Sequence, residues 1–201
     1  MNKKGLMIVL ILIAVLAITA VAPAFAAKPT VNDDVWFVAA GMAAPSVPGK
    51  TWWTGDDTVL HNKGQIQPNW QVFRSPSGTP PGSVPIGSMT TVAQEFVFNT
   101  KSGKGRLIMK ITITFSETNP TKNPYGVGTL EGTVIVEVTS LHSATGYAGD
   151  GTGFIVATHG TEAFENAKLT ADLLVMPAGP GLFIFFGTHP NVGGSGIIVY
   201  H

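Results

Sequence analysis

The 201-residue sequence predicts an all-β protein: an antiparallel closed barrel of about eight strands, with a β-sandwich as runner-up. Three observations predict it. Apolar and polar residues alternate with period two through most of the chain after Thr90, and no segment carries a capped 3.6-residue period. Turn residues follow each short apolar run, with 24 Gly and 14 Pro in all. Fourteen of the glycines fall between Gly126 and Gly196, often inside or beside strands. Glycine weakens a strand except where it bends sharply or where backbones approach closely, and a small barrel needs such corners more than a flat sandwich does.

Residues 1–26 read as a signal peptide. Lys3 and Lys4 precede an apolar stretch from Leu6 to Ala22, and Ala24-Phe25-Ala26 forms a small-x-small cleavage site before Ala27. The alternative is an uncleaved anchor, although a 17-residue stretch falls short of the ~20 that cross a bilayer. Cleavage leaves residues 27–201 as a single domain, with 10 basic against 12 acidic side chains and a secreted, extracytoplasmic location. No later apolar run is long enough to be a helical membrane span.

The strands follow in order. Val35–Ala40, Thr58–Gln65 and Asn69–Arg74 come first, then a Pro-rich surface loop at 76–88 holding Pro76, Pro80, Pro81 and Pro85. Thr90–Phe98 sets Val92, Phe96 and Phe98 against Ala93, Glu95 and Val97. Arg106–Phe115 turns Leu107, Met109, Ile111, Ile113 and Phe115 inward. Thr129–Leu141 does the same with Val134, Val136 and Val138. Gly153–Gly160, Ala167–Met176, Leu182–Gly187 and Ile197–Tyr200 complete the set, and Thr161–Ala167 has room for one helical turn. Leu182–Phe186 is apolar on both faces, which suits a strand with one side in a lumen and the other under a loop or a partner. Thr100–Gly103, Asn119–Pro124, Gly149–Gly153 and Pro177–Gly181 supply turns.

Composition excludes several functions. No cysteine is present, so disulfides and thiolate metal sites are ruled out. No basic cluster exists to neutralise phosphates, which excludes nucleic acid as a partner. The Gly149–Gly153 run lacks the Gly-Lys-Ser/Thr of a phosphate cradle, Gly193–Gly196 does not meet the serine-elbow pattern, and no Asn-x-Ser/Thr sequon with an allowed middle residue occurs.

Gly128-Thr129-Leu130-Glu131-Gly132, then Gly149-Asp150-Gly151-Thr152-Gly153-Phe154, then His159-Gly160-Thr161, resembles the glycine layout of allene oxide cyclase barrel-like and dirigent-like (calycin-type) secreted proteins. The resemblance spans roughly residues 88–176. It implies an eight-stranded antiparallel barrel whose lumen takes an apolar or aromatic small molecule, with cyclisation or coupling in some members. Only structural glycines match, so no catalytic role is carried over.

The chemistry-bearing residues are few. His61, His142, His159, His189 and His201 lie more than ten residues apart, without the short-spaced pair of a zinc site. A metal or acid/base site requires the strands to bring His61, His159 and Glu95 onto one lumen face; the bland alternative is polar side chains satisfied at barrel mouths. Asn32-Asp33-Asp34 and Asp56-Asp57 lack the alternating oxygen ligands of a calcium loop and suit solvated turns. Trp52 and Trp53, in a loop or at a strand end, point opposite ways if extended. Such rings stack on sugars or flat ligands or anchor a partner; otherwise one plugs the barrel end and one packs under the Pro-rich loop.

The ligand-binding candidates are therefore Glu95, His159, Tyr147, Trp52 and Trp53. No residue is assigned to catalysis or to a metal, and no cofactor is expected. The leading expectation is a non-enzymatic secreted barrel holding a small apolar or aromatic ligand. A structural or interaction protein of the cell envelope, with a homo-oligomer built on the doubly apolar strand, is the first alternative. A lumen isomerase or cyclase, needing a buried carboxylate or imidazole, is the second.

Overall fold

A computed structural model describes residues 30–74 and 84–201. The expected export segment 1–26, and residues 76–83 of the Pro-rich loop, lie outside the described residues. Twelve strands form one sheet: β1 (Thr30–Asn32), β2 (Trp36–Met42), β3 (Lys50–Thr54), β4 (Val59–Lys63), β5 (Ile66–Phe73), β6 (Pro85–Asn99), β7 (Lys104–Phe115), β8 (Gly128–Val138), β9 (Gly151–Gly160), β10 (Lys168–Ala178), β11 (Gly181–Gly187) and β12 (Gly196–Tyr200). Among the described residues one 3-10 turn, Glu162–Phe164, interrupts them.

Eight of these strands close on themselves in the order β2-β5-β6-β7-β8-β9-β10-β11, and β11 returns to β2. Every neighbouring pair in the ring is antiparallel. The remaining four are additions. β12 pairs with Lys168–Ala171 of β10 while β11 takes Leu173–Ala178, so the two share one edge, and β1 extends β12. β4 pairs with the last residues of β6, and β3 lies outside it. The closed barrel is thus the architecture, and the sandwich is not.

Alternation decides which side chains turn inward. Leu169, Ala171, Leu173 and Val175 of β10 are buried, as are Met109, Ile111, Ile113 and Phe115 of β7 and Val134, Val136 and Val138 of β8. Their polar neighbours face water. Strand β11 shows why both its faces are apolar. Leu182, Ile184 and Phe186 point into the barrel, while outside it the His189 ring of the following loop lies 4.6 Å from the Phe185 ring.

Three local expectations need correction. Strand β6 begins at Pro85, so Pro85–Ser88 is strand rather than loop; a proline is tolerated as the first residue of a strand. The alternation predicted for Thr90–Phe98 slips, because a bulge lies between Ala93, opposite Met109, and Glu95, opposite Ile108. Thr91 and Ala93 therefore face in with Phe96 and Phe98, and Val92 does not share their face. The bulge falls where β6 exchanges one partner for another, pairing with β5 up to Val92 and with β4 from Phe96. Finally, the β8–β9 turn is built by 142–147, not by Gly149–Gly153, since Gly151 and Gly153 already belong to β9. A Cβ on Gly153 would fall 1.9 Å from the Ile135 carbonyl oxygen, so the glycine serves close strand approach.

Candidate functional site

The two ends of the barrel differ. At one end the interior is filled by aromatic rings. Phe37 stacks on Phe186 at 4.5 Å and meets Phe115 edge-on at 5.7 Å, and Phe115 lies 5.3 Å from Phe164. Tyr125 closes this end. Its hydroxyl accepts from the Trp36 N–H at 3.0 Å and donates to the Trp36 carbonyl, while the Tyr200 hydroxyl donates to the Tyr125 carbonyl at 2.9 Å. Burial raises the pKa of Tyr125, and burial together with Tyr125 raises Tyr200 to about 12.

At the other end the inward side chains leave a cavity of about 40 Å³. Its walls are Leu107 and Met109 of β7, Val136 and Val138 of β8, Val175 of β10, Leu182 and Ile184 of β11, and Phe96 and Ala93 of β6. Trp70 of β5 forms the back wall. Its indole lies against Gly41, where a Cβ would stand only 2.7 Å from Trp70 Cε3. Met42 and Ala43 flank the mouth, and Tyr147–Asp150 of the β8–β9 loop cover it. The polar groups sit on one side: Gln65, Gln67 and Thr91. Trp70 Nε1–H donates to Thr91 Oγ1 at 3.3 Å, and the Thr91 hydroxyl donates to the Gln67 carbonyl at 3.4 Å. Across the mouth, Asp150 Oδ2 accepts from the Ser140 hydroxyl at 2.6 Å.

About 40 Å³ holds a few water-sized occupants, whereas an apolar cavity that takes benzene measures about 150 Å³. A single ring therefore enters only if the rim gives way. Met42 is 54% exposed and unbranched, and Tyr147 stands on a loop, so the rim has side chains able to move.

The structure scatters the five residues expected to bind ligand. Tyr147 lines the cavity. Glu95 and His159 do not face the lumen: both are exposed on the outer wall, Glu95 at the β6 bulge and His159 beside Lys110 and Glu131. They thus supply no carboxylate or imidazole to the interior, and His159 lies in a different outer depression from His61 and Glu95. Trp52 and Trp53 lie in β3 of the exposed β3–β4 hairpin, 38% and 44% exposed, and neither plugs the barrel. The Trp52 ring stacks on His61 at 5.1 Å, and both border an outer depression with Glu95. Among the described residues, no three His, Asp or Glu side chains converge on a metal position.

Gln67, Thr91 and Trp70 were missed as site residues. Gln67 gave no signal, because it precedes Pro68 in a stretch without clear alternation. The structure shows a register shift between Gln67 and Trp70 that turns both inward. Asp34 and Asp57 of the acidic pairs serve local structure. Asp34 faces Arg74 at 3.7 Å, and Asp57 sits in a turn at φ 59°.

Fold and cavity together define a small antiparallel β-barrel, plugged with aromatic rings at one end and hollow at the other. In structure the chain is similar to the pterocarpan synthase dirigent protein GePTS1, at 10% sequence identity, with 87% of each chain covered and a TM-score of 0.46. No family model matches the sequence, and neither does any curated protein. The barrel itself follows from the strand pairing alone. Among the described residues no helix is long and apolar enough to cross a membrane.

Proposed function

We propose that this protein binds a small apolar or aromatic molecule at the hollow end of its barrel, acting outside the cytoplasm after loss of residues 1–26. The observation that carries this is the asymmetry of the interior: tight aromatic packing at one end, and an apolar cavity with a few polar groups at the other. Pockets for small molecules have this composition. A ring the size of a phenylalanine side chain buries about 150–250 Å². At about 25 cal/mol per Å² its burial contributes about 4–6 kcal/mol before entropic costs. Export is supported by the basic start, the apolar stretch and the Ala24-Phe25-Ala26 site. The test is to incubate purified protein with an envelope extract, re-isolate it and record native mass spectra. A discrete added mass, lost when Trp70 is replaced by a charged residue, is expected; bare protein at every extract concentration refutes the proposal.

A scaffold role is the second reading, favoured by the outer wall. Phe154 and Met176 are 46% and 39% exposed, and Met176 pairs with Phe183 across the β10–β11 ladder. Exposed apolar side chains of this kind on an outer strand face serve protein contacts. Sedimentation of a dimer or larger assembly that Phe154→Glu dissociates supports it, and a monomer at high concentration removes it.

A further inference from the structure

We infer that Gln67 is the group that orients the occupant of the cavity, and that this occupant is a neutral molecule with one carbonyl- or ether-type acceptor on an otherwise apolar body. The inference rests on the cavity being a ligand site, and it specifies the chemistry that site selects.

The orientation of the Gln67 amide is determined. Its Oε1 accepts the Ser46 backbone N–H at 3.1 Å, and a backbone N–H can only donate, so the oxygen must face Ser46. That leaves Nε2 with two N–H groups and no hydrogen-bond partner among the described residues, on a side chain 8% exposed that lines the cavity. Of the polar groups that line the cavity, Gln65 and Tyr147 are only half-buried, and the buried ones beside Gln67 are already engaged. The Trp70 indole N–H is given to Thr91, and the Thr91 hydroxyl proton to the backbone carbonyl of Gln67. What the buried trio of Gln67, Trp70 and Thr91 still has to offer is therefore a donor. A ligand that brings an acceptor satisfies it, whereas a pure hydrocarbon covers it and leaves it unpaired.

Charge narrows the class further. No Lys, Arg or His lines the cavity, and its one carboxylate, Asp150, stands at the mouth. An anionic ligand would pass that carboxylate and then lose its hydration against Val, Leu, Ile and Met without a counter-charge, which is unfavourable. An ammonium brings no acceptor for Gln67. A neutral ketone, lactone or cyclic ether brings the acceptor that Gln67 lacks and adds no charge to the apolar wall.

The experiment uses four probes of one shape, cyclohexanone, methylcyclohexane, cyclohexanecarboxylate and cyclohexylammonium, with binding followed by calorimetry and by tryptophan emission. One retained hydrogen bond predicts that cyclohexanone binds about threefold to tenfold more tightly than methylcyclohexane, with neither ion detectable. Gln67→Met should abolish that preference and leave methylcyclohexane binding intact. Gln67→Glu keeps an acceptor for Ser46 and guards against a folding artefact; it too should lose the ketone preference at neutral pH. Equal binding of ketone and hydrocarbon, unchanged in Gln67→Met, overturns the role of Gln67 while leaving the cavity as a ligand site. Preference for either ion overturns the neutral class. Failure of all four probes to bind overturns the inference together with the ligand-site reading.

Discussion

Replacing Gly41 by alanine tests whether Trp70 is the back wall of the cavity. A Cβ at position 41 would stand 2.7 Å from Trp70 Cε3 and 2.8 Å from Cδ2, about an ångström inside ordinary contact. The obstacle is a ring 4% exposed, so no flexible chain end can simply turn aside. The indole has one direction with free space, toward the cavity of about 40 Å³. Moving there stretches its 3.3 Å hydrogen bond to Thr91. Overpacking costs about 1–3 kcal/mol, and the adjacent void argues for the lower half of that range. For a domain of this size that is a fall in melting temperature of about 2–8 °C, measurable by calorimetry. Tryptophan emission should change as the ring shifts, and any cavity ligand should bind more weakly. A variant with the parent melting temperature and unchanged emission refutes this account of the back wall.

The plug, the outer ladder and two titrations give further expectations. Phe37→Ala removes a ring that touches Phe115, Tyr125 and Phe186 and should destabilise the fold by about 3–5 kcal/mol in urea unfolding, without altering the remote cavity. Tyr125→Phe strips the hydroxyl shared by the Trp36 N–H and carbonyl and should cost about 1–3 kcal/mol by the same assay. Tyr200, raised to about 12, keeps its proton in the folded state between pH 10 and 12 while the unfolded chain loses it. Stability should therefore fall as pH rises through that window, and absorbance at alkaline pH should show a tyrosine ionising near pH 12. His189 moves oppositely. Burial lowers its pKa below 6.5, and its Nδ1 accepts the Asn191 N–H at 3.1 Å, so stability should fall as pH drops below 6.5. His189→Asn, which keeps a side-chain acceptor, should flatten that acid limb.

Much of the barrel is legible in the sequence. Side chains of a strand alternate between faces, so the runs around Arg106–Phe115, Thr129–Leu141 and Ala167–Met176 already declared which residues would be interior. Glycine and proline, through their backbone constraints, already marked where strands would end. The site was far less legible. The alternation that set Phe96 and Phe98 inward also set Glu95 outward, yet carboxylate chemistry drew attention to Glu95. Gln67 carries no such chemistry and sits in a stretch where a register shift breaks the alternation. Whether the interior is full or hollow depends on which rings meet at which end. Phe37, Phe115, Phe164 and Phe186 come from four distant segments that only ring closure brings together. Local sequence thus determined the faces of the strands, because alternation is a property of one chain segment. Only the tertiary structure decided where the cavity lies and which polar group faces it, because both depend on the register between strands far apart in sequence.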